Sequence, residues 1–160
     1  MRFYIVNHAH AVPREQVESM DKRPLSDKGR KDNKNLVAFM KKNGEKVDLV
    51  YHVETSWTKE NAELFAKEWG GGVKVSATPY PLKSGADIAP CLEDVNKNEQ
   101  NIVLAGPSDG CMKLATSLLT GGARQEPTAV TLGNGVCACL ERGTDGTWTL
   151  QWMIRPEQLG

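Results

Sequence analysis

Charge of one sign is what this 160-residue sequence lacks most plainly, since 20 Lys and Arg residues balance 20 Asp and Glu and leave a formal net charge of zero. No overall field draws the molecule to nucleic acid or to an anionic membrane, so recognition by charge has to be local. Long apolar runs are missing too. The first, Phe3 to Val6, is too short for a signal-peptide core, and no later stretch approaches the roughly 20 apolar residues of a membrane span. A cytoplasmic location is the expectation. Cysteine is sparse: Cys91, Cys111, Cys137 and Cys139 form neither a Cys-x-x-Cys pair nor a disulfide framework, and read as reduced core thiols. With no repeat, linker or low-complexity tract, residues 1–160 are expected to form a single domain around one core.

What is present alternates between strand and helix. "RFYIV" is a β-rich run suited to burial on both faces, followed by a polar loop from Asn7 to Lys22. The next segment offers Ser26 as N-cap, Leu36, Val37, Phe39 and Met40 at helical spacing, and Gly44 as the stop. "VDLVYHV" predicts a second strand, and "SWTKENAELFAKEWGGG" a second helix capped by Ser56 or Thr58. An extended "VKVSATP", a helix over Asp87 to Asn98, the buried strand "NIVLAG" and a helix over "DGCMKLATSLLTGG" follow. From Ala129 the pattern turns to period two around "TDGT", a hairpin signal, with Trp148 and Trp152 four apart and so expected on one face. The fold class is α/β, a three-layer α/β/α sandwich with a mainly parallel sheet and a C-terminal antiparallel hairpin. Ligands in such sheets sit beyond the carboxyl ends of the strands. Three strand ends therefore matter: Asn7-His8, His52 to Trp57, and Gly106 to Gly110.

At those ends the residues carry a resemblance. "IVNHAHAVP", "RPLSDKGR" from Arg23 to Arg30, "VETSWTKENAELFA", "VLAGPSDG" and the closing "WTLQWMIRPEQL" follow, in order and nearly end to end, the segments of SixA-type phosphohistidine phosphatases. The chain thus resembles a small branch of the histidine phosphatase (phosphoglycerate mutase-like) superfamily. The resemblance implies that fold, no cofactor, no metal, and hydrolysis through a phosphohistidine. It places the nucleophile at His8. It also implies two arginines and a second histidine that would hold phosphate oxygens, and here Asn7, Trp57 and Pro107 stand in their places.

Phosphoryl transfer depends mostly on positioning and neutralising charge, so these replacements bear directly on activity. Loss of one preorganised donor typically costs about 10²–10³ in rate, and three would cost roughly 10⁶ if they added, though groups acting as a unit seldom add fully. Asn7 offers hydrogen bonds without charge, Pro107 lacks even a backbone donor, and Trp57 fills space with an apolar ring. The primary expectation is a SixA-like protein with impaired or lost hydrolysis of phosphohistidine and phosphomonoesters.

Two alternatives stay open. In one, an active pocket is rebuilt around His8, with Lys59, Arg14 or Arg23 supplying charge, although lysine lacks the bidentate fork of arginine. In the other, the cleft is a non-catalytic binding or regulatory site for a phosphohistidine-bearing protein or a small anionic ligand. Ser108 and Asp109, opening the helix after Pro107, could contribute to anion binding, with Asp109 as a plain N-cap the competing reading. His8, His10 and His52, with Glu54, are a conceivable metal set, set against ordinary loop and sheet roles.

Overall fold

The computed structural model describes residues 1–78, Leu82 and 87–160. Strands β1 (Arg2–Asn7), β2 (Leu49–His52), β3 (Lys74–Ala77), β4 (Ile102–Gly106), β5 (Cys137–Arg142) and β6 (Trp148–Ile154) form one sheet in the order β3-β2-β4-β1-β5-β6. The first four run parallel, β5 is antiparallel to β1, and β6 is antiparallel to β5. This is the mainly parallel sheet with a C-terminal hairpin that the alternating pattern predicts.

Helices α1 (Asp27–Lys42) and α2 (Ser56–Trp69) cover one face of the sheet, and α3 (Ala89–Lys97) and α4 (Ser108–Leu119) the other. Strand β1 shows why. Successive side chains point to opposite faces, so Phe3 and Ile5 pack with Val95 and Leu114, while Tyr4 and Val6 pack with Leu36, Val37, Met40 and Phe65. A strand covered on both faces has no polar side, which explains its unbroken apolar run. All four cysteines are buried and unpaired, and burial pushes the Cys91 and Cys139 thiols up to about 12, so they stay protonated as packing groups.

Three local expectations are corrected. Helix α2 is capped by Thr55, whose hydroxyl accepts from the Thr58 N–H, not by Ser56 or Thr58. The period-two pattern from Ala129 becomes strand only at Cys137. Residues 129–136 form an irregular loop that turns back over the end of β1. Trp148 and Trp152 lie on opposite faces, because a bulge between the Cys139–Trp152 and Leu140–Leu150 pairs inserts one residue and flips the alternation. Trp148 meets Phe3, and Trp152 meets Tyr4 and Phe39. The extended segment expected over 73–79 is strand at Lys74–Ala77; Pro79 lies outside the described residues.

The loop after β1 is fixed by the start of α1. The Ser26 hydroxyl caps the helix by accepting from the Gly29 N–H at 3.1 Å, and the Ser26 N–H donates to the His10 carbonyl at 3.0 Å. A Cβ at Gly29 would fall 2.1 Å from that same carbonyl oxygen, a backbone atom that no rotamer change can move. Gly29→Ala therefore gains up to about 1 kcal/mol of helix propensity but loses about 1–3 kcal/mol or more to overpacking. Urea denaturation should show a net loss of stability, and an unchanged or raised midpoint would mean that the helix does not rest on His10.

Candidate functional site

The end of β1 is pinned from three sides. The His8 N–H donates to the Gly106 carbonyl at 3.0 Å, the Asn7 N–H to Val136 O at 3.1 Å, and the Ala9 N–H to Asn61 Oδ1 on α2 at 2.8 Å. Asn61 is held in turn by Asn33 on α1, through a pair of buried contacts of 3.3 and 3.2 Å. Residues 7, 9 and 11 are buried and residues 8 and 10 are half-buried, so both imidazoles stand on the open side of the loop.

Hydrogen bonding fixes the tautomer of His8. His8 Nδ1 lies 2.9 Å from the Ala9 carbonyl, an acceptor only, so Nδ1 carries the proton and Nε2 keeps its lone pair. His10 Nδ1 lies 2.8 Å from Ser26 Oγ, a hydroxyl that also lies 3.1 Å from the His10 carbonyl and can donate to either. Neither Nε2 has a hydrogen-bond partner among the described residues. Burial lowers the pKa of His8 below 6.5, the Ala9 carbonyl opposes this, and the charges of Arg23 and His10 lower it further. His8 is a neutral base at pH 7.

Trp57, in the first turn of α2, meets His8 edge to face, with ring centroids 6.0 Å apart. Over the same indole lies the Arg23 guanidinium, 5.2 Å from the centroid. Its Nε donates to the Val12 carbonyl at 2.7 Å, and its own carbonyl accepts from Ser56 Oγ at 2.6 Å. His8, Trp57 and Arg23 thus form one cluster, with the guanidinium edge as its only cation among the described residues.

The other candidate donors are turned inward. Asn7 is 1% exposed, and its Nδ2 donates to the Leu132 carbonyl at 2.7 Å. The opposite amide orientation would set two acceptors against each other. Ser108 Oγ donates to the same carbonyl at 3.2 Å. Asn7 Oδ1 is left buried without a partner. Pro107 is the N-cap of α4 and supplies no side-chain cap, while Asp109 lies in the first turn and pairs with Lys113 at 3.2 Å rather than capping.

Two further expectations do not fit the geometry. Lys59 is 60% exposed beside Glu63, and about 200° of helical rotation separates it from Trp57; Arg14 is exposed on a short 3₁₀ turn. Neither side chain makes a hydrogen bond, ion pair or ring contact with His8, Trp57 or Arg23. The metal set disperses as well. His52 and Val6 both pair with Ala105, so His52 stands two strand spacings, roughly 9–10 Å, from β1. Its Nδ1 is tied to the Val53 carbonyl and Glu54 is exposed. Among the described residues no group of three metal-ligating side chains forms.

Sequence reasoning missed Asn61 and the Leu132 carbonyl. Asn61 left a trace, a polar residue of poor helix propensity on a buried helix face. A main-chain oxygen leaves none.

The depressed His8 pKa gives a prediction. An NMR titration should place its midpoint below 6.5, and Arg23→Gln should raise it, though not fully, since burial is the larger cause. Because the folded value lies below the unfolded one, this group's contribution to stability is full above about pH 6.5 and is lost as pH falls through the folded midpoint. A midpoint above 6.5, or one unmoved by Arg23→Gln, would mean that the two groups do not share a site.

No family model matches the sequence, and no curated protein matches it. Solved structures do match. The protein histidine phosphatase SixA in complex with tungstate superposes with a TM-score of 0.84 at 16% identity, covering 100% of both chains. A chain described as SixA from Agrobacterium tumefaciens gives 0.72 at 17%, covering 97% of each. A phosphoserine phosphatase mutant from Entamoeba histolytica in complex with phosphoserine gives 0.66 at 14%, covering 99% of this chain and 98% of that one. From end to end, this chain has the histidine phosphatase fold.

Proposed function

We propose that this is a SixA-like protein in which phosphoryl transfer is lost or strongly impaired, and whose former catalytic cleft binds an anionic ligand or partner in the cytoplasm. One observation carries the reading. The donors at Asn7 and Ser108, where a phosphate would need them, are both spent on the Leu132 carbonyl, an oxygen that repels phosphate oxygens. Among the described residues one guanidinium edge remains for a dianion that would also meet the lone pair of a neutral His8. Phosphohistidine-bearing protein and small anion are both candidate occupants, as phosphorylated compounds are for proteins of this fold. The four buried, unpaired thiols suit a reducing compartment.

His8 itself favours a second reading. An imidazole anchored through Nδ1 with a free Nε2 is what a phosphohistidine nucleophile requires, so an active enzyme relying on Arg23 is the rival. Turnover separates the two. Phenyl phosphate and a phosphohistidine peptide, offered to the purified chain and to His8→Ala, should show no hydrolysis that depends on His8. Hydrolysis by the parent chain that disappears in His8→Ala would establish the active enzyme.

A further inference from the structure

The cluster at the end of β1 also says what kind of anion it suits, an argument that rests on the reading of a charge-poor, non-hydrolytic cleft. We infer that the cleft takes a planar aromatic monoacid carrying a hydrogen-bond donor, its carboxylate on Arg23 and its donor on His8 Nε2. Four features point there. Among the described residues the cluster holds a single cation, matched to one negative charge; Arg23 Nε is engaged by Val12, and its Nη groups have no partner among those residues. The guanidinium lies over Trp57, which fixes its position and leaves its edge to grip a carboxylate, the planar anion that the arginine fork fits. His8 is held as the Nδ1–H tautomer, so its Nε2 offers a lone pair that welcomes an O–H or N–H and opposes an oxyanion. Arg23 and His8 also both contact the same indole ring, 5.2 and 6.0 Å from its centroid, which sets both groups beside one apolar surface. A phosphomonoester dianion fails on two counts, its second charge and its surplus of acceptors.

Isothermal titration calorimetry of the full chain with 4-hydroxybenzoate, benzoate and phenyl phosphate tests the assignment. The hydroxy acid should bind tightest, benzoate about two- to tenfold weaker for want of the donor, and phenyl phosphate weaker still. Arg23→Gln should weaken both carboxylates about ten- to a hundredfold. His8→Phe, which keeps a ring against Trp57, should bring the hydroxy acid down to the level of benzoate and leave benzoate unchanged. Thermal denaturation confirms that each variant is folded, and if Arg23→Gln is not, Arg23→Lys, which keeps the charge but loses the fork, should show the same direction of loss. Absence of carboxylate binding, with phosphates neither bound nor hydrolysed, overturns the ligand class and leaves the loss of hydrolysis standing. Phenyl phosphate binding tighter than 4-hydroxybenzoate, or its His8-dependent hydrolysis, overturns both.

Discussion

A buried main-chain carbonyl has to find a donor, and at Leu132 that requirement organises the whole cleft. The carbonyl takes the Asn7 amide and the Ser108 hydroxyl, and so draws the loop of residues 129–136 onto the ends of β1 and β4. Leaving such an oxygen unpaired would cost about 1–3 kcal/mol, more than either neutral donor would gain by waiting for a ligand. The loop is held twice more, by the Gly135 N–H on the Asn7 and His8 carbonyls and by the Asn7 N–H on Val136. An arginine at position 7 would find no room in a site that is 1% exposed, and would have to push this loop away. The neutral side chain at position 7 and the closure of the loop are therefore two aspects of one arrangement.

The opposite wall of the cleft is built for precision. Asn33 and Asn61 tie two helices to the Ala9 N–H, Ser26 ties the start of α1 to His10, and Gly29 lets the helix pass against the loop backbone. The result is a pair of half-buried imidazoles, that of His8 with its proton fixed on Nδ1. A fixed tautomer serves binding as well as it serves nucleophilic attack. Whether Nε2 meets phosphorus or a ligand hydroxyl is decided by the charge around it, and among the described residues that charge is one guanidinium laid on an indole.

Much of this fold was legible because its signals are local. The β1 run, the Ser26 cap and the Gly44 stop depend on neighbouring residues, and the structure has them where the pattern puts them. The motifs also led to two strand ends, where His8 and Trp57 meet, and to Arg23, which joins them from the loop before α1. Illegible were features set by distant contacts. The bulge that parts Trp148 from Trp152 follows from pairing with β5, and the irregular 129–136 loop overrides an alternating pattern because its carbonyls and amides are needed at the end of β1. Lys59 looked close to the site in sequence, but two residues along a helix is half a turn away. Arg23, the other charge the sequence offered to a rebuilt pocket beside Arg14, is carried by its loop onto the indole.

The central claim is a neutral His8 in a cleft that does not hold phosphate, and ¹⁵N NMR of the His8 imidazole at pH 7 during titration with inorganic phosphate tests it most directly. The account predicts the Nδ1–H tautomer throughout, with a bare Nε2 signal that phosphate leaves in place. A saturable shift of Nε2 toward the protonated form would contradict it, and would mean that the cleft still gathers the charge a phosphatase needs.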